Sequence, residues 1–391
     1  MKANRLFPYL AAVVLMSLVS CSRTEYRVCA FIWPSCHDDA LAHELIWPAG
    51  EGEWEIIRQA TPRFDGHYQP KRPLWGYGHD DDPEVVEQWI QAALSHGVNT
   101  FVYDWYWFRN QPFLEGALDN GFLQAPSNTK MDFYLMWANH DVKANYWNCY
   151  MNAGDESLMF RGAVTPEQFH TIADRVIEKY FHLPNYARKD GKPIFMIYDP
   201  MKFLETYGGD EEAAAADLEW FRQRCKDAGL GGLYLQSSLW GDAVYYDRAY
   251  AEKLTGVIKR LGFDSIASYN MAGKDLDYAE FGKKAVKAWS LWAELVEGLD
   301  VYPTVSVGWD DTPRFPAKGE EDVVRFNRTP QEFGKILSKA KSYADSLSGT
   351  QDRIVYVNAW NEWVEDSYLL PDEIYGFAYL DEVKKVFGES R

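Results

Sequence analysis

Short apolar runs alternate with longer amphipathic stretches along most of this chain. The apolar runs are rich in β-branched and aromatic residues and end at polar or turn-forming positions, which is typical of buried β-strands. Eight such runs predict strands over residues 27–33, 99–107, 132–139, 193–199, 233–237, 265–270, 302–309 and 354–360. Because amphipathic segments of helical length separate them, the pattern predicts repeated βα units and a parallel sheet.

Helix starts are recognisable between the predicted strands. An N-capping residue followed by proline occurs at Asp82-Pro83, Thr165-Pro166 and Thr329-Pro330, and His96-Gly97 closes the first of these helices. Further amphipathic patterns predict helices over 210–228, 245–261, 278–299 and 378–387. Eight strands that are each followed by a helix predict a (β/α)8 TIM barrel of the α/β class, with long βα loops. A doubly wound open sheet is the alternative, but no Gly-rich phosphate loop follows the first predicted strand.

The N-terminal residues predict an exported protein. Lys2 and Arg5 precede an apolar stretch over residues 6–19, and Leu18-Val19-Ser20-Cys21 then resembles a lipobox. The stretch is shorter than the about 20 apolar residues that cross a bilayer. We therefore expect a lipoprotein signal peptide over 1–21 and a lipidated Cys21, with an ordinary cleaved signal or an anchor helix as alternatives. The remaining residues 22–391 predict a single domain.

The same N-terminal features also predict where the protein is located. We expect an outer-membrane lipoprotein that faces the periplasm and touches the membrane only through the lipid on Cys21.

Charge narrows the possible ligands. The chain has 40 Lys and Arg against 58 Asp and Glu, a formal net charge of −18 at pH 7. Attraction to nucleic acid or anionic lipid needs an excess of cations, so neither is an expected partner, and a neutral or cationic ligand is easier to bind. Apart from Cys21, the four cysteines show no metal-ligand spacing, and we expect no metal and no cofactor. One disulfide is possible, but the sequence cannot pair it.

Almost every predicted strand ends on an aromatic residue beside an amide or a carboxylate. In a (β/α)8 barrel these strand ends and the loops after them form the active site. Sugar rings have apolar faces and a rim of hydroxyls, so flat aromatic side chains and polar groups together predict an oligosaccharide or polysaccharide site. The predicted substrate-binding residues are His67, Tyr68, Asp104, Trp105, Tyr106, Trp137, Asn139, Tyr198, Gln236, Tyr269, Trp309, Asp310, Asp311, Trp360, Asn361 and Trp363.

The last strand supplies the candidate catalytic pair, Glu362 and Glu365. Cleavage of a glycosidic bond needs one carboxyl to protonate the leaving oxygen and a second to act as base or nucleophile. A solvated loop with two surface acids is the alternative for this pair. Asp104 could equally be a capping or core carboxylate, and Asp310-Asp311 could be turn residues. The acidic run 79–82 suits a helix-capping loop better than a metal site.

Several motifs resemble one known family. They include Gly66-His-Tyr-Gln-Pro70, residues 97–108, Met136-Trp-Ala-Asn139, Gly308-Trp-Asp-Asp-Thr-Pro313 and Trp360-Asn-Glu-Trp363. These stretches are similar to the WbsX-type proteins, which are related to glycoside hydrolase family 99, and they span nearly the whole chain after Cys21.

The resemblance implies a (β/α)8 barrel and activity on glycans without a metal. Family 99 contains endo-acting α-mannosidases and mannanases that retain anomeric configuration. It implies that Glu362 deprotonates the sugar 2-hydroxyl, with an epoxide-like intermediate, and that Glu365 acts as acid and then base. Family members commonly have Glu-Gly-Thr where this chain has Glu365-Asp366-Ser367, which puts the local backbone in question.

The sequence leaves three functions to compare. An exported glycoside hydrolase is the first, a glycosyltransferase of surface polysaccharide synthesis the second, and a non-catalytic glycan-binding lipoprotein the third. A sugar-nucleotide donor is cytoplasmic, so predicted export favours hydrolysis, and the presence of both Glu362 and Glu365 counts against pure binding.

Overall fold

The computed structural model describes residues 26–240, 243–271, 275–315, 317–347, 349 and 351–388. The predicted signal peptide and Cys21 lie outside the described residues. Within the described part of the chain, no helix is long and apolar enough to cross a membrane. Cys29, Cys36, Cys149 and Cys225 are all free thiols, so the possible disulfide is not formed.

Nine parallel strands form one sheet. They are β1 (Arg27–Ile32), β2 (Thr100–Phe108), β3 (Asp132–Trp137), β4 (Lys192–Ile197), β5 (Tyr234–Leu239), β6 (Ser265–Ser268), β7 (Asp300–Tyr302), β8 (Thr304–Ser306) and β9 (Ile354–Asn358). Their order is β7-β6-β5-β4-β3-β2-β1-β9-β8. Only Pro303 separates β7 from β8, and proline has no N–H to donate to a ladder. The seventh barrel strand is therefore broken in two, and the sheet closes on itself at Pro303.

The predicted (β/α)8 barrel is confirmed, with one strand altered. The seventh predicted strand, 302–309, is instead the pair β7 and β8, and β7 joins β6 while β8 joins β9. The other seven strands lie within two residues of their predicted ends.

Helices surround the barrel. They are α1 (Ala40–Leu45), α2 (Trp54–Ile57), α3 (Pro83–Ser95), α4 (Pro166–Val176), α5 (Pro200–Glu205), α6 (Glu211–Asp227), α7 (Ala243–Tyr246), α8 (Arg248–Arg260), α9 (Tyr278–Leu295), α10 (Pro330–Ser346) and α11 (Ala378–Phe387). The predicted caps are confirmed, since the side chains of Asp82, Thr165 and Thr329 each accept a backbone N–H of the first turn.

Two helix predictions were wrong. The segment 245–261 is two helices, α7 and α8, and not one. The connection after β2 has no α-helix; it contains an antiparallel strand, Gln111–Phe113, followed by the π-helical turn Ala117–Gly121 and the 3-10 turn Phe122–Gln124.

The two faces of β2 have different surroundings. Side chains alternate along a strand, so Asp104 and Tyr106 point into the barrel mouth while Trp105 and Trp107 point towards the helices. The Asp104 carboxylate accordingly contacts Tyr269, which directly follows β6, whereas the Trp105 indole N–H donates to Glu115 of the outer layer at 2.9 Å. This alternation determines which strand-end residues can meet a substrate.

Candidate active site

Glu362 and Glu365 lie just beyond β9, where the chain folds back over the barrel mouth. Residues Asn361–Glu362 pair with Ser367–Tyr368 as a short antiparallel ladder, and the 3-10 turn Trp363–Glu365 joins them. The Asn361 amide accepts a hydrogen bond from the backbone N–H of Trp33 at 2.9 Å and donates to the carbonyl of Trp33 at 2.7 Å. Asn361 thus fastens this turn to the end of β1 and is a positioning residue.

Arg314 joins the two candidate catalytic carboxyls. Its Nη1 donates to Glu365 Oε1 at 3.0 Å, and its Nη2 donates to Glu362 Oε1 at 3.1 Å. The guanidinium is only 3% exposed, so solvent screens these contacts weakly. One cation therefore holds both glutamates in a common site.

Glu53 holds the other edge of Arg314. Its Oε1 accepts from Nε at 3.0 Å and from Nη2 at 2.8 Å, while its Oε2 accepts from the indole N–H of Trp33 at 2.6 Å and from the Ser35 hydroxyl at 3.2 Å. The guanidinium also lies 5.5 Å above the Trp33 ring and 5.6 Å above the Tyr146 ring. Arg314 is therefore fixed from several sides.

Asp104 and Tyr269 complete the cluster. The Tyr269 hydroxyl lies 3.2 Å from Asp104 Oδ2 and 3.3 Å from Glu362 Oε2, and its single proton can serve one of them at a time. Asp104 Oδ1 is buried and has no hydrogen-bond partner among the described residues. Three carboxyls, those of Glu53, Glu362 and Glu365, thus contact one guanidinium, and Asp104 joins them through Tyr269.

This crowding changes the proton affinity of the cluster. Burial raises the pKa of Glu365 to about 7, although Arg314 opposes the rise. Burial, then the charge of Glu365, raise the pKa of Glu362 well above its usual value, again against Arg314. Burial likewise raises the pKa of Asp104. Glu365 can therefore gain and lose a proton near neutral pH, as an acid–base site requires.

Aromatic side chains line the space next to these carboxyls. Tyr198 is partly buried, and its ring lies 5.6 Å from that of Tyr269 at 81°. Tyr106 packs edge-on against Trp33 at 5.5 Å. His140 contacts both Tyr106 and Tyr198, and burial lowers the pKa of His140 to about 4, so this imidazole is neutral at pH 7. The wall can pack against a sugar ring and hydrogen-bond its hydroxyls.

Asp310 contacts the turn that carries Glu365 and is itself held by hydrogen bonds. Its Oδ2 accepts from His67 Nε2 at 2.7 Å and from Gln69 Nε2 at 2.7 Å, and its backbone N–H donates to the carbonyl of Glu365 at 2.8 Å. Burial opposes ionisation, but the His67 hydrogen bond and the charge of Lys71 lower the pKa of Asp310 below its usual value. His67 and Asp310 thus hold the Glu365 loop in place.

Three other predicted substrate-binding residues make contacts within the loops around the site. Asp311 is buried and pairs with Lys318, and burial raises its pKa. The Tyr68 hydroxyl accepts the backbone N–H of Arg72 at 3.0 Å. Trp309 is partly buried, and its carbonyl accepts the N–H of Val324.

Four predicted tryptophans lie away from the carboxyl cluster, which corrects their assignment as substrate contacts. Trp105 packs beside Trp107 in the outer layer, Trp137 packs between Phe169 and Phe203, Trp360 packs against Phe101, and Trp363 stacks on Tyr368. All four are nearly inaccessible to solvent. Trp105 and Trp137 point outward by the alternation of their strands, while Trp360 and Trp363, beyond the end of β9, pack outward against neighbouring aromatic rings.

Two predicted polar residues are also structural. The Gln236 amide oxygen accepts from Tyr356 at 2.7 Å deep in the barrel. The Asn139 amide oxygen and nitrogen bond the backbone N–H and carbonyl of Asp199, each at 2.8 Å, and so tie the end of β3 to the end of β4. Neither is a substrate contact in this arrangement.

Arg314 and Glu53 are the functional residues that the sequence did not indicate. Both lie in loops, where a lone charged residue usually faces solvent. Only the neighbouring residues could have drawn attention to them. Arg314 follows the Asp311-Thr-Pro turn, and Glu53 precedes Trp54 in the long first loop. Neither signal identifies the partner.

Asp366 explains why the chain tolerates the absence of glycine after Glu365. It has φ 56° and ψ 24°, a left-handed conformation that favours glycine, asparagine or aspartate. Its carboxylate pairs with the buried Lys71 at 2.6 Å and with Arg328 at 3.1 Å. These ion pairs hold the strained residue in place, so the turn keeps its shape.

Known structures share this fold. A glycoside hydrolase-like protein aligns with a TM-score of 0.60 and 17% identity, covering 93% of this chain and 94% of that one. A GH99 endo-alpha-mannosidase from Bacteroides thetaiotaomicron, in complex with bis-tris-propane, aligns with a TM-score of 0.58 and 14% identity, covering 93% and 97%. At these identities the similarity shows the barrel fold.

Sequence comparison identifies the family. Protein WxcX from two strains of Xanthomonas campestris pv. campestris, described as uncharacterized, is 26% identical over 375 residues, which are 91% of this chain and 49% of the relative. The chain therefore spans about half the length of the curated relatives it matches. The family model described as "Glycosyltransferase WbsX" matches residues 28–383. The chain thus belongs to the WbsX family that its motifs resemble.

Proposed function

We propose that this protein is a glycoside hydrolase that cleaves a neutral glycan with Glu362 and Glu365. The observation that supports this best is the shared guanidinium of Arg314, which holds both carboxyls at the aromatic mouth of the barrel. Surface acids would be solvated and independent, whereas these are buried and compete for protons. Two carboxyls with opposed tasks in one cleft are what glycosidic cleavage requires.

Glu365 suits the role of acid and then base. A pKa of about 7 lets it carry a proton into the reaction and recover one afterwards at neutral pH. It is also slightly more exposed than Glu362, which gives it access to the leaving oxygen.

Glu362 suits the role of base towards the sugar. Its carboxylate can accept from Arg314 at 3.1 Å and from Tyr269 at 3.3 Å, and both contacts favour ionisation, although burial and the charge of Glu365 still raise its pKa. In the first step Glu362 takes the proton of the 2-hydroxyl, O2 bonds to C1, and the glycosidic C1–O bond breaks as Glu365 protonates the leaving oxygen.

Water completes the reaction. In the second step the water oxygen bonds to C1 while Glu365 takes its proton, the C1–O2 bond breaks, and O2 recovers the proton from Glu362. The sum is addition of one water across the glycosidic bond. Two displacements at C1 retain its configuration, as in the family 99 pattern that the motifs resemble.

The charge of the site weighs against a sugar-nucleotide donor, although the family description names a glycosyltransferase. Around the mouth, Arg314 is already bonded to three carboxylates and Lys318 to Asp311. A diphosphate would meet the remaining negative charge, which is unfavourable at short range. A neutral glycan meets no such barrier. We propose endo cleavage of α-mannoside-type linkages as the finer specificity.

Replacement of Glu365 by Gln tests the proposal. The carboxamide is nearly isosteric but cannot give or take the proton, so hydrolysis should fall at least about a hundredfold while glycan binding persists. Reducing-sugar release from yeast mannan, dextran, starch, xylan and β-glucan measures turnover, and calorimetry measures binding. The exposed residue Glu373 provides the matched control, Glu373→Gln.

The other functions predict different results. Unchanged turnover in Glu365→Gln would refute the catalytic assignment. Wild-type binding without turnover would indicate a glycan-binding protein, and sugar transfer from a nucleotide donor would indicate a transferase.

A further inference from the structure

A line of aromatic rings leads from the catalytic carboxyls to solvent. It begins at Tyr269, whose hydroxyl lies 3.3 Å from Glu362 Oε2. The Tyr198 ring is 5.6 Å from Tyr269, and the Trp240 ring is 6.4 Å from Tyr198 at 80°. Each ring contacts the next, so the three form one continuous edge of the cleft.

Trp240 is the outer end of this edge and has an unusual environment. It directly follows β5, and its carbonyl accepts the N–H of Ala243 at the start of α7. Its side chain is 44% exposed, whereas the preceding Leu239 is 4% exposed. It is the most exposed tryptophan in the described part of the chain, and Trp75 follows at 38%. An indole held on the rim leaves a flat apolar surface in water.

We infer that Trp240 is an outer sugar-binding platform, so that the cleft takes a neutral oligosaccharide segment and not only the sugar unit that reacts. The inference rests on the proposed function, since the reacting unit lies at Glu362 and Glu365. The apolar face of a further sugar unit would stack on the indole, with Tyr198 forming the floor between the two units.

Two features favour a sugar chain as the occupant. The platform is continuous with the catalytic carboxyls through Tyr198 and Tyr269, so one extended ligand can touch all of them. The rings also supply stacking surface without positive charge, and carboxyls lie at their inner end beside Tyr269, which suits a neutral polyol better than an anion. Aromatic stacking of this kind tolerates many ring types, so it predicts chain-length dependence without fixing the sugar.

Trp240→Ala tests the inference against Trp75→Ala, a second exposed tryptophan that packs on Phe377 instead of the cleft. The substrates are size-separated oligosaccharides of the polysaccharide that the wild type cuts. For the longest, kcat/KM should fall about tenfold in Trp240→Ala, while the shortest cleaved oligosaccharide changes by less than about twofold. Trp75→Ala should match the wild type at every length.

A loss that is equal at all lengths, or no loss, would overturn the inference while leaving the proposed hydrolase intact. If the wild type cuts no glycan, electrophoresis in gels containing the same five polysaccharides still gives a result. Retardation of the wild type that weakens in Trp240→Ala would support the platform and refute hydrolysis alone. Wild-type migration unaffected by all five gels would overturn both.

Discussion

At the scale of single residues, one guanidinium influences how the candidate catalytic carboxyls share protons. Arg314 lowers the pKa of both Glu362 and Glu365 against the larger effect of burial. Glu53 keeps the guanidinium from turning away, since it accepts from Nε and from Nη2 while Nη1 and Nη2 donate to the two glutamates. The balance between burial and this cation is therefore a tunable property of the site.

Arg314→Gln should move the pH profile of kcat/KM towards alkaline pH. The acidic limb reports the base Glu362, which must be ionised, and the alkaline limb reports the acid Glu365, which must be protonated. Loss of the cation raises both pKa values, so both limbs should shift upward, by about one pH unit or more. The profile of hydrolysis between pH 4 and pH 10 measures this.

A conservative variant at position 314 separates the effect of the positive charge on the pKa values from the structural role of the side chain. Arg314→Lys keeps a cation near Glu53, Asp311 and the two glutamates, so its limbs should lie closer to those of the wild type. Circular dichroism checks that each variant is folded. A lower rate with unmoved limbs in Arg314→Gln would mean that Arg314 only holds the structure together.

At the scale of elements, the alternation of strands and the turn after β9 decide what reaches the cleft. Neighbours in sequence diverge: Tyr106 lines the mouth, while Trp105 bonds Glu115 in the outer layer. After β9 the chain must reverse sharply for Glu362 and Glu365 to face the same guanidinium. Asp366 enables that reversal, and its ion pairs fix it.

Asp366→Gly should destabilise the protein even though glycine suits its backbone. Relief of the left-handed conformation stabilises the protein by about 1 kcal/mol. Loss of the carboxylate removes the ion-pair partner that the buried Lys71 and the mostly buried Arg328 share, which costs about 3 kcal/mol or more. Thermal unfolding should therefore show a net loss of about 2 kcal/mol.

A second variant isolates the charge. Asp366→Asn tolerates the same backbone and removes only the negative charge, so it should also destabilise. An Asp366→Gly protein as stable as the wild type would show that the ion pairs contribute little.

At the scale of the whole molecule, charge bears on the ligand and the predicted lipid anchor bears on the location. The net charge of −18 and the carboxyl-rich mouth both disfavour polyanions, in agreement with a neutral glycan as ligand. We propose that the barrel works in the periplasm, attached to the outer membrane through a lipid on Cys21. A lipid chain contributes about 0.8 kcal/mol per buried methylene to such attachment.

Cys21→Ser should release the protein from membranes and abolish its labelling by radioactive palmitate. Fractionation of a Gram-negative host that expresses the full chain measures both effects. Cys149→Ser is the control, because Cys149 is a half-buried free thiol of the barrel loops and should leave attachment unchanged. An unlabelled wild-type protein would refute lipidation, and labelled protein in the inner membrane would correct the location.

The sequence alone determined the barrel and the position of the candidate catalytic glutamates at the end of its last strand. Hydrophobic periodicity and capping residues are local signals, so the strands, the caps at Asp82, Thr165 and Thr329, and the strand-end position of Glu362 and Glu365 could be read directly. The break at Pro303 could have been predicted from the sequence as well, because proline interrupts a β-ladder. The apolar residues on both sides of the proline instead predicted one continuous strand.

Tertiary structure alone decided which residues meet. The pairing of Arg314 with Glu53 joins residues 261 positions apart, and no local pattern reports a contact of that kind. The outward phase of Trp105, Trp137 and Trp360 and the exposure of Trp240 likewise depend on how strands are seated in the closed barrel. Composition shows that aromatic residues and acids are abundant, whereas their partners follow from packing, because burial and charge act through space.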